Sequence, residues 1–375
     1  MKHLRIRFPL LLLIVASLAA FLAVACGDDD DDTVDASPAA ASSATTVAAA
    51  AGSATVASTN PAPSPSPGAR VELINVSYDP TRELYAQYAE LFAKHYKEVA
   101  NVDVTVQNSH GGSGSQARSV VDGLQADVLT IALAGDTAVV EKAGLIEPGW
   151  EAEFPNNSNP YVSTIVLLVR KGNPKAIKDW TDLGKDGIGV ITPNPKTSGG
   201  ARWNFLAAWG SVTLNGGSED QAKDLLARIY KNVKVLDSGA RGSTQTFVDR
   251  GIGDVLIAWE NEALLVTKDS DNFEIVYPKQ SILAEPSVAV VDKNVDRKKT
   301  REVAKAFIEY LYSDEAQDLI ARNFYRPSNA TVLAKYRTQF PSFEKQFTIR
   351  DFGGWSAVAT KFFAEGAIFD QIYKP

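Results

Sequence analysis

One local pattern recurs along this chain and constrains its fold more than any other: an apolar strand, a glycine- and serine-rich turn, then a helix start. Residues 102–107 lead into His110-Gly111-Gly112-Ser113-Gly114-Ser115, and residues 188–192 into Thr197-Ser198-Gly199-Gly200-Ala201. A third copy runs from 233–237 into Ser238-Gly239-Ala240-Arg241-Gly242, and a related form takes 71–78 into Asp79-Pro80-Thr81. Strands alternating with helices predict a mainly parallel α/β architecture. The first turn of a helix carries N–H groups without intrahelical partners and a partial positive charge, so each junction can hold an anion. Small residues let those backbone donors approach. Several junctions meeting at one point would form an oxyanion receptor.

The N-terminus belongs to targeting. Lys2, Arg5 and Arg7 precede an apolar stretch over 8–25, and Cys26 follows, which reads as an export signal over 1–25. Cys26 is the single cysteine, which excludes an intrachain disulfide and any multi-cysteine metal site. Its position resembles a bacterial lipobox, so lipidation of Cys26 is expected, although Ala23 stands where such sequences usually carry leucine. Residues 26–69 combine the acidic run 28–32 with Ala, Ser, Thr and Pro, a composition that cannot build a core. As a flexible coil such a tether would reach about 35–40 Å.

The remaining residues suffice for two lobes. The formal charge is −7; three signal cations and six tether anions leave −4 on the folded part. No basic run points to nucleic acid, so an anion site must rest on local donors.

Along the folded part the pattern predicts strands at 71–78, 102–107, 127–133, 162–170, 188–192, 233–237 and 254–259. Helices are predicted from Asp79-Pro80 to Lys97, near 116–124, over 137–143, from Gly199, over 219–231 and from Ser243. The apolar runs 162–170 and 282–291 read as crossings between lobes, giving lobe 1 as 70–161 plus 285–375 and lobe 2 as 162–284. Helices over 301–312 and 314–323 and the C-terminal segments are assigned to lobe 1. A cleft between the lobes would face the strand C-termini, where the glycine turns sit.

Other chemistries fit poorly. Gly112-Ser113-Gly114-Ser115-Gln116-Ala117 matches a dinucleotide fingerprint weakly, and Asp127 comes too early to be its ribose partner. His110-Gly111-Gly112 would suit an esterase oxyanion turn, but the required G-x-S-x-G elbow is missing. The three histidines, His3, His95 and His110, lack metal-ligand spacing, and there is no Walker-type loop. An enzyme using Ser113 or Ser198 as nucleophile would need a positioned base that the sequence does not supply. Ser198-Gly199-Gly200 taken alone could be a plain helix cap, and Trp259 could be simple core packing.

The constellation resembles a known family. Residues 75–83, 109–114, 191–204, 236–244, 253–262 and Asn323-Phe324-Tyr325-Arg326-Pro327 are similar, in order and spacing, to the prokaryotic sulfate-binding proteins of ABC importers. The resemblance runs from about Val71 to the C-terminus. It implies a two-lobed periplasmic-binding-protein fold (type II), no catalysis, no cofactor and no metal. It also implies a sulfate ion held, dehydrated, by neutral donors: backbone N–H groups of Asp79, Ser113, Gly199, Gly200 and Ala240, the Ser198 hydroxyl and the Trp259 indole N–H. The carboxylate of Asp79 would cap its own helix, and Arg241 would be a neighbour whose charge is used elsewhere. The implied partner is a membrane permease, with no nucleic acid and the protein acting as a monomer outside the cytoplasm; the lipobox-like Cys26 and the long tether depart from the soluble periplasmic members and add the membrane as a partner. Thiosulfate is the alternative ligand; molybdate would need a wider pocket.

Overall fold

The computed structural model describes residues 66–373, so the signal, Cys26 and nearly all of the tether lie outside the described residues. Twelve strands are described: β1 (Arg70–Tyr78), β2 (Asp103–Gly111), β3 (Val128–Ile131), β4 (Tyr161–Arg170), β5 (Val190–Pro193), β6 (Val233–Asp237), β7 (Val255–Trp259), β8 (Phe273–Val276), β9 (Gln280–Ala284), β10 (Ser287–Val290), β11 (Arg326–Pro327) and β12 (Lys345–Phe347). They form two sheets. One has the order β10-β3-β1-β2, and the backbone of the other runs β12-β9-β4-β7-β5-β6.

The two sheets repeat one plan. In the first, β1 lies parallel between β2 and β3, and β10 closes antiparallel on β3. In the second, β5 lies parallel between β6 and β7, and β4 closes antiparallel on β7. Each antiparallel closing strand arrives from the other lobe. The result is the two-lobed α/β fold of periplasmic binding proteins. β4 explains its own unbroken apolar run: Ile165, Leu167 and Val169 face one core while Val166 and Leu168 face another. A strand covered on both sides has no polar face to alternate with.

Helix starts follow side-chain chemistry. Ser218 and Gln221 form a reciprocal box at the helix Glu219–Lys231: Gln221 N–H donates to Ser218 Oγ at 3.2 Å and Ser218 N–H to Gln221 Oε1 at 2.8 Å. The helix Ser113–Val121 begins three residues before its expected start, because Gly112 adopts an extended conformation and acts as its N-cap. The helix Ala240–Val248 likewise starts three residues before Ser243. Asp79 is the first residue of a short 3-10 turn, Asp79–Thr81, and the α-helix runs separately over Arg82–Ala100.

The crossing expected over 282–291 is observed: Leu283 pairs with Thr164 in the second sheet and Ser287 with Ile131 in the first. The chain changes lobes at Glu285-Pro286, where proline has no N–H to offer either ladder. One expectation fails, at the C-terminus. Helices Arg301–Tyr310 and Asp314–Arg322 do pack on the first lobe, with Phe307 against Tyr88 at 4.9 Å between ring centroids. β12, however, pairs parallel with β9. Beyond it, Phe362 and Phe363 lie against Phe205, and Phe369 against Tyr230. These aromatics cover the helices Gly199–Thr213 and Glu219–Lys231, so the last segment belongs with the second lobe.

Phe362 is fully buried in that belt. Phe362→Ala should therefore lower unfolding free energy by about 3–5 kcal/mol in a urea titration. Hydrogen exchange should show the lost protection in the helix Gly199–Thr213 rather than in Arg82–Ala100.

Candidate functional site

Five strand ends feed five helical first turns at the lobe boundary. β1 ends at Tyr78 and Asp79 follows; β2 ends at Gly111 and the helix Ser113–Val121 follows. Ser198 caps the helix Gly199–Thr213 after β5, Gly239 caps Ala240–Val248 after β6, and Trp259 ends β7 and caps Glu260–Asp269. The earliest intrahelical bonds are Gln116 N–H to Gly112 O (2.9 Å) and Ser243 N–H to Gly239 O (3.2 Å). The preceding N–H groups, including those of Ser113 and Ala240, have no acceptor within their own helices.

These turns approach one another closely. A β-carbon on Gly199 would lie 2.9 Å from Ser113 Cβ and 3.0 Å from Ala132 Cβ, so only glycine lets the two lobes meet here. A β-carbon on Gly200 would lie 2.9 Å from Trp259 Nε1 and 3.5 Å from Ser198 Oγ, which places the two side-chain donors beside one backbone. The Asp79 carboxylate reaches Gly239, next to Ala240. Asp79, Ser113, Ser198, Gly199, Gly200, Ala240 and Trp259 thus lie along one connected seam.

The donors differ in what they have left to give. Ser198 Oγ accepts from Ala201 N–H at 3.3 Å, leaving its own proton free. Ser113 Oγ is fully used, donating to Asp136 Oδ2 at 2.6 Å and accepting from Ala132 N–H at 3.2 Å. Only its backbone N–H remains. Trp259 is 1% exposed, its ring 5.3 Å from that of Tyr78, and its Nε1–H finds no acceptor among the described residues. An orphaned buried donor costs about 1–3 kcal/mol and needs an explanation.

No arginine at the seam is free. Arg241 makes paired bonds of 2.8 Å to both oxygens of Glu83 and reaches Glu262 at 2.9 and 3.2 Å. Arg202 meets Asp136 at 2.9 Å, and Arg82 meets Asp79 at 2.8 Å. That last pair corrects an expectation: the Asp79 carboxylate makes no cap bond and is held by Arg82, since Asp79 lies inside the 3-10 turn. Burial opposes the charge on Arg241, yet the bonds and charges of Glu83 and Glu262 outweigh it and raise its pKa. Burial pushes Glu262 upward, against the pull of Arg241 and Thr244. The pKa of His110 is lowered from its ordinary value, chiefly by burial, which favours the neutral ring. Asp127, the weak candidate for a ribose contact, accepts from Ile74 N–H at 2.7 Å and pairs with Lys298, a structural tie.

Sequence reasoning missed most groups that join the lobes. Trp203 Nε1 donates to Ala132 O at 2.8 Å and Asn261 Nδ2 to Pro80 O at 3.2 Å. Asn204 was also missed: its Nδ2 donates to Thr192 Oγ1 and Ile257 O, while its Oδ1, lining a small void with Ala240 and Trp259, finds no donor among the described residues.

Comparison with known proteins identifies the family. The profile of the bacterial extracellular solute-binding proteins matches residues 73–326. The sulfate-binding protein of Escherichia coli (strain K12) is 58% identical over 309 residues, covering 81% of this chain and 93% of its own. The chain belongs to the sulfate/thiosulfate-binding proteins of ABC importers. A thiosulfate-binding protein of Pseudomonas aeruginosa is 48% identical over 306 residues, covering 81% of this chain and 92% of its own. The solved sulfate-binding protein SubI from Mycobacterium tuberculosis H37Rv superposes with a TM-score of 0.73 at 33% identity, covering 78% of this chain and 99% of that one. Members of this family are extracytoplasmic binding proteins, not enzymes, which removes the nucleophile reading of Ser113 and Ser198.

The Arg241 cluster makes a checkable claim. Arg241→Met should destabilise the fold by about 3–5 kcal/mol by leaving Glu262 buried without its cation. Adding Glu262→Gln should recover most of that loss in a double-mutant cycle read by urea unfolding.

Proposed function

We propose that this protein captures sulfate at the seam between its lobes and delivers it to an ABC permease. The observation that carries the reading is the Trp259 indole N–H, buried and without an acceptor, beside Ser198 and Gly200 at converging helix N-termini. The proposed contacts are the backbone N–H groups of Asp79, Ser113, Gly199, Gly200 and Ala240, the Ser198 hydroxyl and the Trp259 indole. Sulfate at neutral pH offers only acceptors, so a set of donors satisfies it completely. Because Arg82, Arg202 and Arg241 are already paired, the dianion's charge is answered by hydrogen bonds and helix dipoles. A ligand gripped by both lobes favours their closed arrangement, which is what a permease would select.

Thiosulfate is the second reading, favoured by the Pseudomonas aeruginosa relative. Hydrogen phosphate brings a proton that the donors cannot accept; Asn204 Oδ1 is the acceptor on which its tolerance would depend. Calorimetric titration with sulfate, thiosulfate, molybdate and phosphate separates these ligands. Trp259→Phe and Ser198→Ala should each weaken sulfate binding about ten- to a hundredfold, the worth of a hydrogen bond to a charged group. Wild-type affinity should stay level from pH 6.5 to 8, since none of the proposed donors titrates in that range. Intact binding by Trp259→Phe would refute the neutral-donor site.

The protein is proposed to act as a monomer, exported by the signal over 1–25 and tethered by lipid on Cys26. What supports the anchor is the position of Cys26 between the apolar stretch and a linker without core-forming residues. Mass spectrometry of detergent-extracted protein should find a diacylglyceryl group on an N-terminal Cys26; a soluble chain beginning after Cys26 would refute it.

A further inference from the structure

We propose that a groove beside the seam, walled by both lobes, is the docking surface for an extracytoplasmic loop of the permease. The proposal rests on the transport reading above but concerns a separate surface. The groove encloses about 490 Å³. One wall belongs to the first lobe: Ala117 and Arg118 on the helix Ser113–Val121, and Val139 and Lys142 on the helix Ala134–Lys142. The facing wall belongs to the second lobe and its C-terminal belt, with Trp355, Thr360 and Phe363.

Its floor is an interlobe contact. Arg202 meets Asp136 at 2.9 Å, and a β-carbon on Gly135 would lie 3.0 Å from Trp355 Cβ. Separating the lobes would pull one wall from the other. The groove is therefore assembled by closure, and a partner that fits it reads closure directly.

Its chemistry specifies the partner. Val139 is 46% exposed, one of three large aliphatic side chains left in water among the described residues. Trp355 and Phe363 supply apolar surface opposite it. The cations at the rim are unanswered: Arg118 hydrogen-bonds only Ser115 Oγ, at 3.2 Å, and Lys142 has no ion pair among the described residues. Arg202 is neutralised by Asp136. A local excess of positive charge thus flanks apolar walls on a chain whose formal charge is −7. The matching occupant is a loop carrying an apolar side chain flanked by carboxylates. A second copy of the chain fits badly, because a two-fold contact would set Arg118 and Lys142 against their own kind.

The test compares wild type with Val139→Asp and with the double variant Arg118→Glu/Lys142→Glu, none of which alters a proposed sulfate contact. Each full-length protein is titrated with sulfate, then added to liposomes holding the sulfate permease complex of the same cell, and sulfate-dependent ATP hydrolysis is measured. Sulfate affinity should stay within about twofold, while stimulation at subsaturating protein should fall about tenfold or more. Lys142→Arg should stimulate normally. Full stimulation by both the Val139 variant and the double variant would overturn the proposal. So would a groove-dependent dimer in sedimentation, or an aromatic sulfonate such as anilinonaphthalene sulfonate filling the groove without inhibiting hydrolysis. Failure of the wild type to bind sulfate would instead refute the transport reading, and it is seen in the titration before any permease is added.

Discussion

The seam depends on how its charges are already spent. Arg241 is divided between Glu83 and Glu262, Arg202 is committed to Asp136, and Arg82 to Asp79. Two of these, Arg241 with Glu83 and Arg202 with Asp136, also fasten one lobe to the other. The same side chains that could have served as counter-ions are thus structural ties. What remains to meet an anion is neutral: first-turn N–H groups, one hydroxyl and one indole. A preorganised neutral shell changes little with pH and needs no reorganisation of flexible cations, because backbone donors are fixed by the helices that hold them.

That arrangement follows from the repeated topology. In each sheet one strand, β1 or β5, lies between two parallel neighbours, so the three C-termini end side by side. The turns after β1 and β2 in one lobe then face those after β5, β6 and β7 in the other. Glycine at 199 is what allows van der Waals contact between Ser113 and the facing helix start. A larger residue would hold the lobes apart and leave the donors on opposite sides of water.

Much of this was legible from sequence because the governing interactions are local. A strand, a small-residue turn and a cap lie within ten to fourteen residues, so 102–115, 188–201 and 233–242 announce their own geometry. Trp259 was identified by resemblance rather than by pattern, since an apolar strand ending in tryptophan reads equally well as core. Long-range ties were not legible. Glu83 and Arg241 lie 158 residues apart, and nothing near either marks the other. The crossing within 282–291 was legible from its apolar run. The C-terminal belt was misplaced. Its aromatics declare that they will be buried without saying against which lobe.

The belt also bears on how an exported chain becomes folded. The helix Gly199–Thr213 is buried along most of its length, and Phe205 and Trp209 on it are covered by Phe362 and Phe363. Those covering residues lie about 150 positions beyond the helix that they cover. The first lobe's sheet takes its last strand at Ser287–Val290, far earlier in the sequence. The second lobe therefore cannot finish its core until that distant segment is available to it. Loss of the final two dozen residues would leave its central helix exposed to proteases while the first lobe stood already formed.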